Sequence, residues 1–360
     1  MKKVTVLILS ILFMIFASSC SIIPTTKTYF LKESFNKIAI NIDDGDINIF
    51  LSDTNENKIT CAEQGQIFTD VKVVDGTLVI EKIDKRNFFD RLIPSLYCAD
   101  IFLTQELVES LDIEYYSCDV TIHPGFTFND VILAGSTGEL ELKSNVINTL
   151  NVEMSTGDIK ISDCNPKEIN LKATSGDIDV KSVNTETLNV ETSTGDVKII
   201  DCIANQTTVK SRTGDIEVKT ISNSNLEVQT SSGKIGVANA NSLENVSVKA
   251  TTGNVTFTNV KDCNKLGITT TTGNIKIVNT TVEKNFNANS TTGNVYLEAF
   301  DAENIYVTTT TGSVEGTLLS SKFFVVKSDM GKETVPASRD GGDCIINTTT
   351  GDITMTIKGE

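Results

Sequence analysis

A tripeptide of the type Thr-Gly-Asp recurs along the last two thirds of the chain at a nearly constant step. Its glycines are Gly138, Gly157, Gly176, Gly195, Gly214, Gly233, Gly253, Gly273, Gly293, Gly312 and Gly351. The first six stand 19 residues apart and later steps are 19 or 20, except the last, where Met330-Gly331-Lys332 holds the place of a degenerate repeat. A step of roughly 20–50 residues marks a solenoid, a propeller or another array, and a propeller blade needs ~40. This chain repeats too quickly for blades.

Columns read off the glycines show how one repeat folds. Apolar residues fall two and four places after the glycine (Ile178 and Val180, Val197 and Ile199) and five and seven places before it (Leu171 and Ile169, Val190 and Leu188). Spacing of two with β-branched enrichment is a strand signature. Each repeat therefore reads as strand, Ser/Thr-Thr-Gly-Asp/Asn turn, strand and a variable corner. One such unit cannot bury its apolar face alone, so the units must stack. The expected architecture is all-β, a single-stranded β-solenoid (β-helix) of 19–20-residue rungs, right-handed by analogy with the usual crossover sense.

Outward columns predict stacking in register. Three places after the glycine stand Glu141, Lys160, Asp179, Lys198 and Glu217, and four before it Glu153, Lys172, Glu191 and Lys210. Alternating signs would set opposite charges side by side across strands ~4.8 Å apart. Asn151, Asn170 and Asn189 predict a short amide ladder.

The chain opens Met1-Lys2-Lys3, continues with an apolar run from Val4 to Ala17, and reaches Ser18-Ser19-Cys20. A basic start, a short apolar core and small residues before a cut are the marks of a secretory signal. The cysteine after them resembles a bacterial lipobox, which implies acylation of Cys20 as the mature N-terminus. The expected organisation is a lipoprotein signal peptide at 1–19, a lipid-anchored tether at 20–34, an irregular N-terminal β segment or cap at 35–98 and the solenoid at 99–360. Within the cap, Ile38-Ile40-Gly45-Ile47-Ile49 and Gly76-Leu78-Ile80 copy the apolar pattern around a glycine, and Lys82 to Pro94 reads as a side loop.

Without Lys2 and Lys3 the chain keeps 29 basic against 47 acidic residues, a net charge of −18. That balance argues against nucleic acid, which selects a basic face. It also holds the body off an anionic bilayer. Seven cysteines remain after Cys20, an odd number. Cys164, Cys202 and Cys344 fall in inward columns and read as buried small hydrophobes; Cys98 and Cys118, on rungs expected to be neighbours, are the one pair considered for a disulfide.

The lipobox start, the irregular strand pairs and the T-G-D-I-x-I repeats together resemble the bacterial "putative adhesin" family of β-strand-repeat domains of unknown function. The resemblance runs over roughly residues 35–360 and implies a β-repeat architecture, with no catalytic residue to carry over. Cys118 departs from the expected turn glycine.

Reactive constellations are sparse. The sole histidine, His123, precedes a Pro124-Gly125 turn signal, so no zinc cluster can form around it. Asp158, Asp177, Asp196 and Asp215 stack one rung apart, and ~5 Å resembles the carboxylate separation of retaining glycosidases. Four equivalent copies point instead to repeated turn chemistry. The same ladder offers oxygens to Ca²⁺, a weak cofactor candidate, while Tyr296 and Tyr306 are the outward aromatics near the turn edge. The expected role is a non-enzymatic cell-envelope lipoprotein, anchored in the cell membrane by its lipid on the extracytoplasmic face, presenting an extended surface for adhesion or for an envelope protein or glycan partner. The alternatives are an accessory part in envelope-stress sensing and, third, a polysaccharide-active enzyme.

Overall fold

The computed structural model describes residues 25–92, 97–338 and 340–359. Among them, 28 strands join into one hydrogen-bonded sheet that winds around a continuous apolar core. Consecutive repeats pair in parallel, and the strands after each turn glycine keep register: Ile159 lies beside Ile178, Ile178 beside Val197, and Val197 beside Ile216. Single-residue shifts fall at the corners, as between Cys263 and Lys265 and between Val282 and Asn285. The apolar columns predicted to face inward are buried from Leu150 and Val152 to Ile353 and Met355, except in the terminal rung, where Phe324 and Val326 are partly buried. This is the expected β-solenoid.

The turn glycines form a column of their own. Gly195 has φ 146°, a region that L side chains rarely adopt. A Cβ there would also lie 1.9 Å from the Gly176 carbonyl oxygen of the preceding rung. The same collision repeats from Gly138 to Gly351, so glycine is required by close rung contact as well as by backbone angle. Cys118 stands in the column without a positive φ, and its buried thiol donates to the Ile42 carbonyl at 3.3 Å.

The corner expected to be variable is regular in its backbone. Six residues after each glycine from Gly157 to Gly293 the chain turns left-handed, at Asp163, Ser182, Asp201, Thr220, Asn239, Asn259, Asn279 and Ala299, with φ between 47° and 58°. Asn and Asp tolerate this conformation best, which accounts for most of the column. The next residue, as at Cys164, Val183, Cys202 and Ile221, points into the core.

Both ends depart from the expected plan, because spatial order there differs from chain order. Lys37–Leu51 is a complete rung, with Gly45 at its turn (φ 126°). It lies between Leu107–Ile122 on one side and the strands Thr77–Asp84 and Cys98–Leu103 on the other. The array thus begins at residue 37, not 99, and its outermost parallel layer comes from residues later in sequence. Antiparallel strands Ile67–Val74, Asn57–Glu63 and Thr25–Leu31 cover that layer. Thr25–Leu31 falls inside the expected tether but is a paired strand. At the other end, Asp343–Thr350 inserts between Val295–Thr311 and Phe323–Ser328. The degenerate repeat around Gly331 is therefore the terminal rung, and the last repeat in sequence is the one beneath it.

Candidate functional site

Three surface features could meet a partner: the Gly-Asp turn edge, a broad outward face, and the N-terminal corner. Along the turn edge each acid is committed to its neighbour. The backbone N–H of Asp177 donates to Asp158 Oδ1 at 2.9 Å, that of Asp196 to Asp177 Oδ1 at 2.8 Å, and that of Asp215 to Asp196 Oδ1 at 2.8 Å. Asn254, Asn274 and Asn294 continue the series, each side-chain oxygen accepting from the next rung. These bonds run from rung to rung, 19 residues apart in sequence along the Asp series. Among the described residues no group of three or more His, Cys, Asp or Glu is arranged to hold a metal ion.

Beneath this edge runs a hydroxyl column that sequence reasoning missed. Thr192, Ser211, Thr230, Thr270, Ser290, Thr309 and Thr348 sit three before the glycine and are buried. Each donates to the preceding rung's turn carbonyl, as Thr309 does to Gly293 at 3.1 Å and Thr348 to Gly312 at 2.9 Å. The recurrence of Ser or Thr at that one position was the available signal.

On the broad face the predicted amide ladder forms. Asn170 Nδ2 donates to Asn151 Oδ1 and Asn189 Nδ2 to Asn170 Oδ1, both at 2.9 Å. These half-buried amides floor a shallow depression of about 480 Å³, rimmed by Glu153, Lys172, Glu191 and Lys210. The charge columns are in the expected register. Within them Lys172 pairs with Glu153 at 3.3 Å, whereas Lys160 reaches back to Glu139.

His123 is not a free turn residue. Its ring stacks on Phe50 at 4.2 Å, and Phe50 on Phe102 at 5.0 Å. Stacked ring on ring, the three spend their faces on each other. Tyr296 accepts from Asn294 Nδ2 at 2.8 Å, and Tyr306 lies beside Asn287 on the neighbouring strand.

Cys98 and Cys118 are both free thiols. Cys98 pairs with Asp46, and Cys118 with Gly45 on the far side of the same strand. With the Lys37–Leu51 rung interposed they stand two strand spacings apart, ~9.6 Å, beyond disulfide reach. Burial, with Asp100 adding to it, pushes the Cys98 thiol up to about 12, and burial pushes Cys118 equally to about 12. Thiols held so far from ionisation are poor nucleophiles. Cys20 lies outside the described residues.

The Toastrack DUF4097 family profile matches residues 35–233, 201–285 and 240–360. The chain belongs to that family. Three solved structures illustrate its company. A putative adhesin from Bacteroides fragilis is 21% identical, with 70% of this chain and 97% of that one covered and a TM-score of 0.33. A putative adhesin from Parabacteroides distasonis is 14% identical over 70% and 96%, TM-score 0.40. A putative lipid binding protein from the same species is 17% identical over 72% and 96%, TM-score 0.38. Among curated proteins none matches. In this Toastrack chain the Thr-Gly-Asp residues are accounted for by turns, carbonyl caps and rung-to-rung bonds. On the broad face Glu153, Lys172, Glu191 and Lys210 stand exposed beside the amide ladder.

Proposed function

We propose that this Toastrack protein is a non-enzymatic envelope lipoprotein, tethered through Cys20 on the extracytoplasmic side, that binds a polar partner along its broad face. One observation carries the reading. The Thr-Gly-Asp motif residues are committed to turns and rung-to-rung bonds, whereas on the broad face exposed Glu153, Lys172, Glu191 and Lys210 repeat from rung to rung around the half-buried Asn151–Asn170–Asn189 floor. A row of amides ~4.8 Å apart suits an extended ligand, a glycan or a protein strand, that crosses several rungs. The lipobox start accords with a face that works outside the membrane.

Purified residues 21–360 are expected to capture envelope polysaccharide or matrix protein, with capture reduced by Asn170→Ala combined with Lys172→Ala. Equal capture by the double variant would remove the broad face from the reading. Depolymerisation of a polysaccharide, lost on changing one turn Asp, would overturn the non-enzymatic assignment. Detergent-phase partitioning unchanged by Cys20→Ala would refute the tether.

A further inference from the structure

The N-terminal corner carries two fully displayed aromatic rings. Phe88 is 74% and Phe89 77% exposed, edge to face at 5.8 Å. They are held out by a built loop. Asp84, half-buried, binds Arg86 at 2.8 Å; Arg86 Nη1 donates to the Asp90 carbonyl at 3.2 Å, and Arg91 Nη2 to the Asp84 carbonyl at 2.6 Å. The Asp84–Arg86 pairing holds the Asp84 carboxyl below its ordinary range. An ordered loop that shows both rings to water is made to place them against something apolar.

The path of the chain identifies that partner. Thr25, the first described residue, pairs with Glu63. Three residues past Glu63, the Gln66 carbonyl accepts from Lys85 N at 3.0 Å. The start of the paired chain and the root of the Phe loop therefore share one corner, separated by roughly 10–20 Å of connected backbone. Cys20 is five residues before Thr25, a reach of at most ~17 Å. Lys85, Arg86 and Arg91 flank the two rings in the loop; Arg86 pairs with Asp84 and Lys27 with Glu63, and Asp43 and Asp44 lie close enough to act on Arg86. Aromatic side chains flanked by Lys and Arg are the composition of a membrane interface.

We infer that Phe88 and Phe89 insert into the lipid interface beside the acyl anchor, fixing the N-terminal corner of the solenoid on the bilayer. The inference rests on the tether reading and adds a second, protein-borne contact.

The chain has no tryptophan, so Phe89→Trp supplies a single reporter. The full-length lipoprotein would be reconstituted in phosphatidylethanolamine–phosphatidylglycerol vesicles with brominated acyl chains. Met330→Trp, at the opposite end, where the parent side chain is 79% exposed, serves as the second variant. The expected result is indole emission from the Phe89→Trp variant shifted to shorter wavelength and quenched by bromine, with emission from the Met330→Trp variant unchanged. Labelled palmitate on Cys20 is followed in the same samples. Labelled protein whose position-89 indole stays unquenched overturns this inference and leaves the tether standing. Unlabelled protein with that indole quenched supports the contact and removes the tether; unlabelled and unquenched protein overturns both.

Discussion

At the scale of single residues, the turn column separates two roles that look alike in sequence. Gly195→Ala places a methyl group against the Gly176 carbonyl as well as forcing an unfavourable φ, so we expect a loss of about 2–4 kcal/mol. Lys198→Ala removes an outward charge and should stay within about 0.5 kcal/mol. Urea denaturation of the two variants compares them directly. The acid beside the glycine is needed as an acceptor and not as a charge. Asp177→Asn keeps the oxygen that receives the Asp196 N–H and should be tolerated, as Asn254, Asn274 and Asn294 already are. Asp177→Ala should cost about 0.5–1.5 kcal/mol; equal melting of the Asn and Ala variants would refute this bond. Asp46 differs from these. Burial, then the Asp119 and Asp100 carboxylates, raise its carboxyl above the ordinary value. A raised carboxyl favours the fold at low pH and loses that contribution as pH rises through its folded value. Asp46→Asn should therefore melt higher than the parent at neutral pH and lose the advantage in acid; an advantage constant with pH would assign it to another cause.

Elements show where sequence was sufficient and where it was not. The inward columns, the Asn ladder and the charge register were legible because each recurs at one offset from a glycine, and a period of two on a buried face leaves no freedom of register. The hydroxyl column was missed because Thr and Ser at an inward position resemble outward strand residues until a carbonyl is found above them. The left-handed corner escaped because Ser182, Thr220 and Ala299 interrupt its Asp/Asn pattern. Of the candidate sites, the Asp ladder was seen but not the rung-to-rung course of its bonds, and the Cys98–Cys118 pair failed because a rung from earlier in the chain lies between them. Chain order carries no sign of such interposition. The inserted C-terminal rung gives a test at this scale. Removing residues 343–360 leaves Phe323–Ser328 without the strand it pairs with, so limited proteolysis should then cut within residues 319–342 while the rungs before Gly293 stay resistant. Unchanged resistance of that segment would contradict the topology.

For the whole molecule, the stack of parallel rungs at ~4.8 Å predicts a rod of roughly 60–70 Å, read as an elongated envelope in small-angle scattering. A compact envelope would exclude it. Contacts between rungs are nearest-neighbour only, so stability accumulates along the axis rather than around one centre. A surface repeated along that axis offers a partner several equivalent footholds, and loss of one rung's polar groups should weaken capture gradually.

The interposed rung near the C-terminus also governs when the molecule can be finished. A solenoid laid down in chain order would close rung by rung as it left a ribosome or a secretion channel. Here the strands Asp343–Thr350 and Ile353–Ile357 sit beneath residues delivered before them. The middle rungs can close one at a time, but the terminal rung has no floor until the last repeat has emerged. A stalled or clipped chain would thus present an unsealed end, a mark by which a protease can tell an incomplete copy from a complete one.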